Sequence, residues 1–117
     1  MKIEVAFTGV AVSDLTRGRD FFERLFGSPP DVLVNENEVM WQVADAAWLY
    51  VVVDPPRAGR ALAAVSVPDL DAALDELASR GIEPSIIEQP GPAARKATVL
   101  DPDGNSVAII EVREDEG

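Results

Sequence analysis

The four residues Val12-Ser13-Asp14-Leu15 recur 55 positions later as Val67-Pro68-Asp69-Leu70. In both copies an apolar, strand-like run precedes the motif, and apolar residues at helical spacing follow it. Asp14 and Asp69 stand at the N-cap position, where a carboxylate accepts a hydrogen bond from a free backbone N–H of the first helical turn. The repeat therefore predicts two copies of one unit, each of which opens with a strand that leads into a helix.

The order of the predicted elements extends this repeat over the whole chain. Helices are expected at residues 14–26 and 69–81, and they end at Gly27 and Gly81. The apolar patterns also predict eight strands, at 3–12, 31–35, 38–44, 47–54, 61–67, 84–89, 95–100 and 105–112. We therefore predict one α+β domain over residues 1–117, made of two tandem βαβββ units. These units span 1–54 and 61–113, the linker is 55–60, and residues 113–117 form a solvated tail.

Composition excludes several kinds of chemistry. The 117 residues include 21 acidic and 10 basic side chains, for a net charge of −11, and neither cysteine nor histidine. Disulfides, thiolate or imidazole metal sites, cysteine nucleophiles and histidine-based acid–base catalysis are therefore excluded. The acidic balance argues against nucleic acid and anionic membranes as partners. No apolar run is long enough to span a bilayer, so we expect a soluble cytoplasmic protein.

The chain resembles the vicinal oxygen chelate superfamily, which includes glyoxalase I, extradiol dioxygenases and the bleomycin-resistance proteins. The resemblance covers nearly the whole chain. It rests on the two repeated motifs, on the Phe-Phe and Leu-Phe-Gly that follow the first, and on the turn Asp101-Pro102-Asp103-Gly104-Asn105. It implies that each unit forms part of a curved mixed sheet, that the sheets enclose a cavity, and that the protein is a homodimer.

Enzymes of this superfamily hold a divalent metal with His and Glu side chains that point into the cavity. Carried over by their spacing from the motifs, three of the ligand positions fall on Phe7, Leu62 and Ala108, and Val52 is the best match for the fourth. None of these side chains has an oxygen, nitrogen or sulfur donor for a metal ion. We therefore expect no metal, no cofactor and no metal-dependent catalysis.

Counting strand pairs across the turn at Asp45-Ala46 predicts an aromatic wall. The count pairs Val43 with Trp48 and Trp41 with Tyr50, and alternation of side chains puts both pairs on one face. If Val52 marks the cavity side, the wall consists of Phe7, Trp41, Trp48, Tyr50 and Val52. Aromatic faces bind planar or cationic ligands by stacking and cation–π attraction, although aromatic residues on a half-buried sheet can instead fill a core.

A second count, across the turn at 101–105, predicts a polar wall. It pairs Leu100 with Ser106, Thr98 with Ala108 and Lys96 with Ile110. The second sheet then presents Lys96, Thr98, Ser106 and Ala108 to the cavity. Few polar groups opposite an aromatic surface are typical of a ligand pocket, whereas Asp101 and Asp103 belong to a turn sequence rather than to a catalytic carboxylate pair.

These patterns favour a non-catalytic binding protein that confers resistance by sequestering an aromatic antibiotic or natural product in a dimer cavity. The negative charge agrees with a cationic ligand but does not require one. The alternative is a metal-independent lyase or isomerase that uses Glu111, Asp54 or Tyr50 as acid or base. A third hypothesis is an accessory subunit that binds a protein segment.

Overall fold

The computed structural model describes residues 1–113. The first half of the chain contains β1 (Ala6–Val12), α1 (Leu15–Phe26), β2 (Val32–Asn35), β3 (Glu38–Ala44) and β4 (Ala47–Val53). The second half contains β5 (Leu62–Ser66), α2 (Leu70–Ser79), β6 (Ile86–Gly91), β7 (Ala94–Leu100) and β8 (Ser106–Val112). Between them, Pro55–Arg57 forms one turn of 3₁₀ helix in the predicted linker. Of the predicted tail, residues 114–117 lie outside the described residues.

Each half of the chain builds one mixed sheet of four strands. Sheet 1 has the order β1-β4-β3-β2, and sheet 2 has the order β5-β8-β7-β6. In each sheet the first strand pairs in parallel with the last strand of its unit, and the other pairs are antiparallel. The predicted α+β class with a repeated strand–helix–three-strand order is confirmed. Neither helix within residues 1–113 is long and apolar enough to cross a membrane.

The repeated aspartates begin the helices as predicted. The Oδ1 atom of Asp14 accepts hydrogen bonds from the backbone N–H groups of Thr16 at 2.8 Å and Arg17 at 3.3 Å. Asp69 accepts from the backbone N–H of Ala72 at 3.0 Å. Such a cap contributes about 1 kcal/mol to helix stability. Gly27 ends α1 with a left-handed φ of 75°, a conformation that favours glycine.

Each helix covers one face of its own sheet and leaves the other face uncovered. The covered faces supply the core, in which Phe22 of α1, Val51 of β4, Leu70 of α2 and Val107 of β8 are fully buried. We call the opposite faces the open faces. The open face of sheet 1 includes Phe7, Gly9, Ala11, Glu38, Met40, Gln42, Trp48, Tyr50 and Val52, and that of sheet 2 includes Leu62, Ala64, Ser66, Lys96, Thr98, Ser106, Ala108 and Ile110.

A β-bulge in β3 makes one part of the predicted aromatic wall wrong. Ala44 pairs with Ala47 as counted, but Gln42 rather than Val43 pairs with Trp48, so Val43 is the extra residue. This insertion turns Trp41 toward the helix side, where it is only 1% exposed. Its ring centroid lies 6.1 Å from that of Phe22, and it is therefore a core residue rather than part of the wall.

The two units are joined by hydrogen bonds from the predicted Asp-Pro-Asp-Gly-Asn turn. Asn105, fully buried, donates from Nδ2 to the Ala11 carbonyl at 2.8 Å and accepts at Oδ1 from the Ala61 N–H at 2.9 Å. Asp103 accepts from the Ser13 backbone N–H at 3.0 Å and from its hydroxyl at 2.5 Å. Far from this turn, the Arg80 guanidinium donates to the last carbonyls of α1. The turn at 101–105 therefore joins the two units by hydrogen bonds, in addition to connecting β7 with β8.

Candidate functional site

The open face of sheet 1 presents three aromatic side chains on neighbouring strands. Phe7 in β1 stands opposite Trp48 in β4, and Gly9 stands opposite Tyr50 two residues further along. Phe7 is 57% exposed, and Trp48, Tyr50 and Val52 are half-buried. Three of the predicted aromatic residues therefore share one accessible face, although Trp41 does not.

Gly9 determines the position of the Tyr50 ring. A Cβ atom added to Gly9 would lie 2.8 Å from Cε2 of Tyr50, and still closer to its Cζ and hydroxyl oxygen. The ring therefore leans across β1 and fills the space above the glycine, between the side chains of Phe7 and Ala11. A glycine inside a strand often marks such a close approach, so the sequence carried a signal for this contact that pairing counts do not use.

Three further residues of this face, Glu38, Met40 and Gln42, escape the sequence analysis because of the bulge, and Glu38 pairs with Val52. Met40 pairs with Tyr50, and Gln42 pairs with Trp48, which puts both beside the aromatic rings. Met40 is half-buried and Gln42 is exposed. A thioether makes favourable contacts with aromatic rings, and the Gln42 side-chain amide donates to the Asp45 carbonyl at 3.1 Å.

The open face of sheet 2 has the predicted polar wall. The pairs Leu100–Ser106, Thr98–Ala108 and Lys96–Ile110 are confirmed. All of these residues except Leu100 border a shallow hollow of about 300 Å³, which is also lined by Leu62 of β5, a side chain that is 89% exposed. The ammonium group of Lys96 lies 3.4 Å from Oε1 of Glu88, so part of its charge is already balanced.

The family's metal positions lie on the open faces without metal donors. Phe7, Leu62, Ala108 and Val52 are carbon-only side chains, so the residues present do not fit a divalent cation. The repeat also revises one assignment: Gly9–Tyr50 in sheet 1 corresponds to Ala64–Ala108 in sheet 2, so the counterpart of Ala108 is Tyr50 rather than Val52. The phenol of Tyr50 is then the one oxygen among the four positions, and a single donor does not hold a divalent cation. Within residues 1–113, no three His, Cys, Asp or Glu side chains group closely enough to hold a metal ion.

Of the two carboxylates considered as alternative acid–base groups, Glu111 has a structural role. It lies on the helix-covered face and is 7% exposed. Its Oε1 accepts from the Leu70 backbone N–H at 2.9 Å, at the start of α2, and its Oε2 from the Arg113 Nε at 3.0 Å. The hypothesis that Glu111 acts in the cavity is therefore wrong. Asp54 follows β4 and pairs with the Arg57 guanidinium at 3.5 Å.

The role of Glu111 predicts a pH dependence of stability. The hydrogen bond from Leu70 and then the Arg113 guanidinium hold the pKa of the Glu111 carboxyl below its ordinary value of 4.5. A carboxyl whose pKa is lowered by folding stabilises the fold above its unfolded pKa, and this contribution disappears as pH falls through the folded pKa. We expect Glu111→Gln to lower the free energy of unfolding at about pH 7 but to have a shrinking effect below about pH 4.5. Urea denaturation at several pH values in this range measures the free energy of unfolding of the wild type and of the variant. A difference between the two that does not change with pH would contradict this role of Glu111.

Comparisons with known proteins agree with this architecture. The sequence profile of the Glyoxalase/Bleomycin resistance protein/Dioxygenase superfamily matches residues 4–109. A glyoxalase/bleomycin resistance protein from Catenulispora acidiphila DSM 44928 is 38% identical, with a TM-score of 0.87 over 92% of this chain and 97% of that chain.

Two more distant structures share the fold. TnmS3, an antibiotic binding protein from Streptomyces sp. CB03234, is 24% identical, with a TM-score of 0.70 over 92% of this chain and 94% of that one. A lactoylglutathione lyase from Agrobacterium tumefaciens is 19% identical, with a TM-score of 0.71 over 92% of each chain. No curated protein matches the sequence. The match over residues 4–109 shows that the chain belongs to the glyoxalase/bleomycin resistance protein/dioxygenase superfamily.

Proposed function

We propose that this protein binds a planar aromatic small molecule, such as an antibiotic or other natural product, and sequesters it without chemical change. The observation that carries the proposal is the accessible aromatic surface of Phe7, Trp48 and Tyr50 on the open face of sheet 1. Phe7 and Tyr50 of this surface occupy positions at which related enzymes keep metal ligands, and the single phenol of Tyr50 is not a donor set for a metal ion. The fold is compatible with this choice, since the antibiotic binding protein TnmS3 has it, but so does a lactoylglutathione lyase, and the choice between them therefore rests on the side chains of the site.

We further propose that a second copy of the chain completes the site. Phe7 is 57% exposed and Leu62 is 89% exposed, so neither open face encloses a ligand by itself. A homodimer that places sheet 2 of one protomer over sheet 1 of its partner would face Lys96, Thr98 and Ser106 toward the aromatic rings. That combination of an apolar surface with few polar groups suits a small-molecule pocket.

A fluorescence titration tests the proposed function. In the Trp41→Phe variant, Trp48 is the one remaining tryptophan of the chain. Proflavine, a planar aromatic cation, and bleomycin serve as the probes. We expect saturable quenching of Trp48 at one ligand per protomer, and mass spectrometry should recover the ligand unchanged. Absence of saturable quenching with both probes would contradict the binding site, and turnover by the protein would contradict sequestration.

Substitution of Gly9 tests the position of the Tyr50 ring. Gly9→Ala should weaken binding of the quenching probe about fivefold, because the added methyl group displaces a ring that contributes about 1 kcal/mol by stacking. Gly91→Ala is the matched control, since a Cβ there meets no heavy atom within 4 Å. In a Tyr50→Ala background, Gly9→Ala should have little further effect. Additive losses in this double-mutant cycle would show that the two residues act separately.

A further inference from the structure

A second cavity lies on the helix side where the two units meet, and its rim reaches Gln42 and Ser66 of the open faces. It has a volume of about 290 Å³ and is bordered by the end of α1, by β3, by the end of β5 and by α2. Its inner wall consists of core residues, including Leu25, Trp41, Leu77 and Ile109, each at most 7% exposed. We call it the interunit cleft. Because these residues of both units are closely packed in the core, the inner end of the cleft is rigid and apolar.

The aromatic residues of the interunit cleft offer only apolar surface to an occupant. The rings of Phe26 and Trp41 lie 5.6 Å apart between centroids and are tilted by 55°. The indole N–H of Trp41 already donates to the Ser28 carbonyl at 2.9 Å. An occupant therefore finds aromatic and aliphatic contacts at the inner end but no free indole donor, which favours an aromatic ring there.

The polar rim of the cleft has the opposite character. Glu76 is the one charged side chain among the described residues that line it, and Gln42 and Ser66 are its polar neighbours. The Glu76 carboxylate lies 3.5 Å from the Arg80 guanidinium, which also donates to two carbonyls of α1. Arg80 balances part of the Glu76 charge from outside the lining, but the rim itself presents acceptor oxygens and no cation, so a positively charged group suits it better than a carboxylate or phosphate.

We propose that the interunit cleft is a second binding site, for a small aromatic amine. The ring would lie against the half-buried Phe26, close to the 1% exposed Trp41, and the ammonium group would meet the Glu76 carboxylate. The volume is at the lower limit for ligand pockets, which restricts the occupant to one or two rings. This site is independent of the proposed aromatic surface, because its tryptophan is Trp41 whereas that surface contains Trp48.

Fluorine NMR separates the two sites. The full chain labelled with 5-fluorotryptophan should give two ¹⁹F signals, since it contains two tryptophans, and Trp41→Phe and Trp48→Phe assign them. Titration with 2-phenylethylamine should shift the Trp41 signal saturably, with a smaller effect on Trp48. Phenylacetate, the matched anionic probe, should bind at least about threefold more weakly, the size of one exposed charge interaction.

Two variants make the test specific to the cleft. Ala73 lines it, and Ala73→Leu should weaken 2-phenylethylamine binding about tenfold or more by filling the space. Ala72→Leu is the control on the exposed neighbouring position of α2 and should bind as wild type. An unshifted Trp41 signal, equal binding of phenylacetate, or equal effects of the two leucine variants would overturn the proposal. A response of Trp48 alone would overturn it too, while leaving the sequestration site intact.

Discussion

Trp41→Ala is expected to lower the free energy of unfolding by about 4 kcal/mol, the usual loss when a large aromatic side chain leaves a core. Trp41 is 1% exposed, packs against Phe22 and Phe26, and donates a hydrogen bond to Ser28. Trp48→Ala should cost about 1 kcal/mol, because Trp48 is half-buried on the open face. For proflavine binding we expect the opposite order, in which Trp48→Ala weakens binding more than Trp41→Ala does.

Urea denaturation and fluorescence titration of the two alanine variants measure these effects. The two tryptophans are seven positions apart in one hairpin, so they form a matched pair that differs mainly in which face of sheet 1 they occupy. If Trp48→Ala destabilised the fold as much as Trp41→Ala, the bulge at Val43 would be assigned incorrectly. If Trp48→Ala left proflavine binding intact, the aromatic surface would have no part in binding.

Asn105→Ala is expected to cost about 3 kcal/mol of stability, the second largest effect. Its side chain makes three hydrogen bonds, to the Ala11 carbonyl, the Ala61 N–H and the Asp101 carboxylate, at 2.8, 2.9 and 2.7 Å. Alanine leaves these buried partners unpaired, and each unpaired buried group costs about 1–3 kcal/mol. Because Asn105 contacts both units, its loss should destabilise them together. Unfolding of the variant in urea should therefore remain a single transition, with its midpoint at a lower urea concentration than in the wild type.

Asn37→Ala is the control for this substitution. Asn37 is an exposed turn residue, and its loss should change stability by less than about 0.5 kcal/mol. Asn105→Asp gives a finer test, since it keeps an acceptor for Ala61 but loses the donor to Ala11. Stability of Asn105→Ala equal to that of Asn37→Ala would show that the turn does not hold the units together.

Local sequence signals predicted the fold because most of them act over a few residues. The caps Asp14 and Asp69 mark both helix starts, and Gly27 marks the end of the first helix. Alternating apolar residues predicted the strands of both sheets to within a few positions. The pairing of β7 with β8 could also be counted, because the turn at 101–105 leads into strands without a register shift.

The site was harder to predict because one inserted residue changes which face a strand presents. The bulge at Val43 exchanges the two faces of β3 for the residues that precede it. It thereby removes Trp41 from the aromatic surface and brings Met40 and Gln42 to it. No local sequence pattern predicts this inserted residue, since a valine at position 43 could lie on either face of the strand. The role of Glu111 is also tertiary, because its hydrogen-bond partner Leu70 is 41 positions away in the chain.

The correspondence between Gly9–Tyr50 and Ala64–Ala108 has an evolutionary consequence. In a homodimer of single half-length units, one gene would encode every copy of this position, and a tyrosine with its glycine would appear on all sheets alike. In a chain that carries both units, each copy of the position is encoded separately. A mutation in one sheet therefore leaves the corresponding residue of the other sheet unchanged. The first copy holds a ring over a glycine and the second holds two small residues. A chain with two units can therefore carry a bulky surface on one sheet and a small one at the corresponding place on the other.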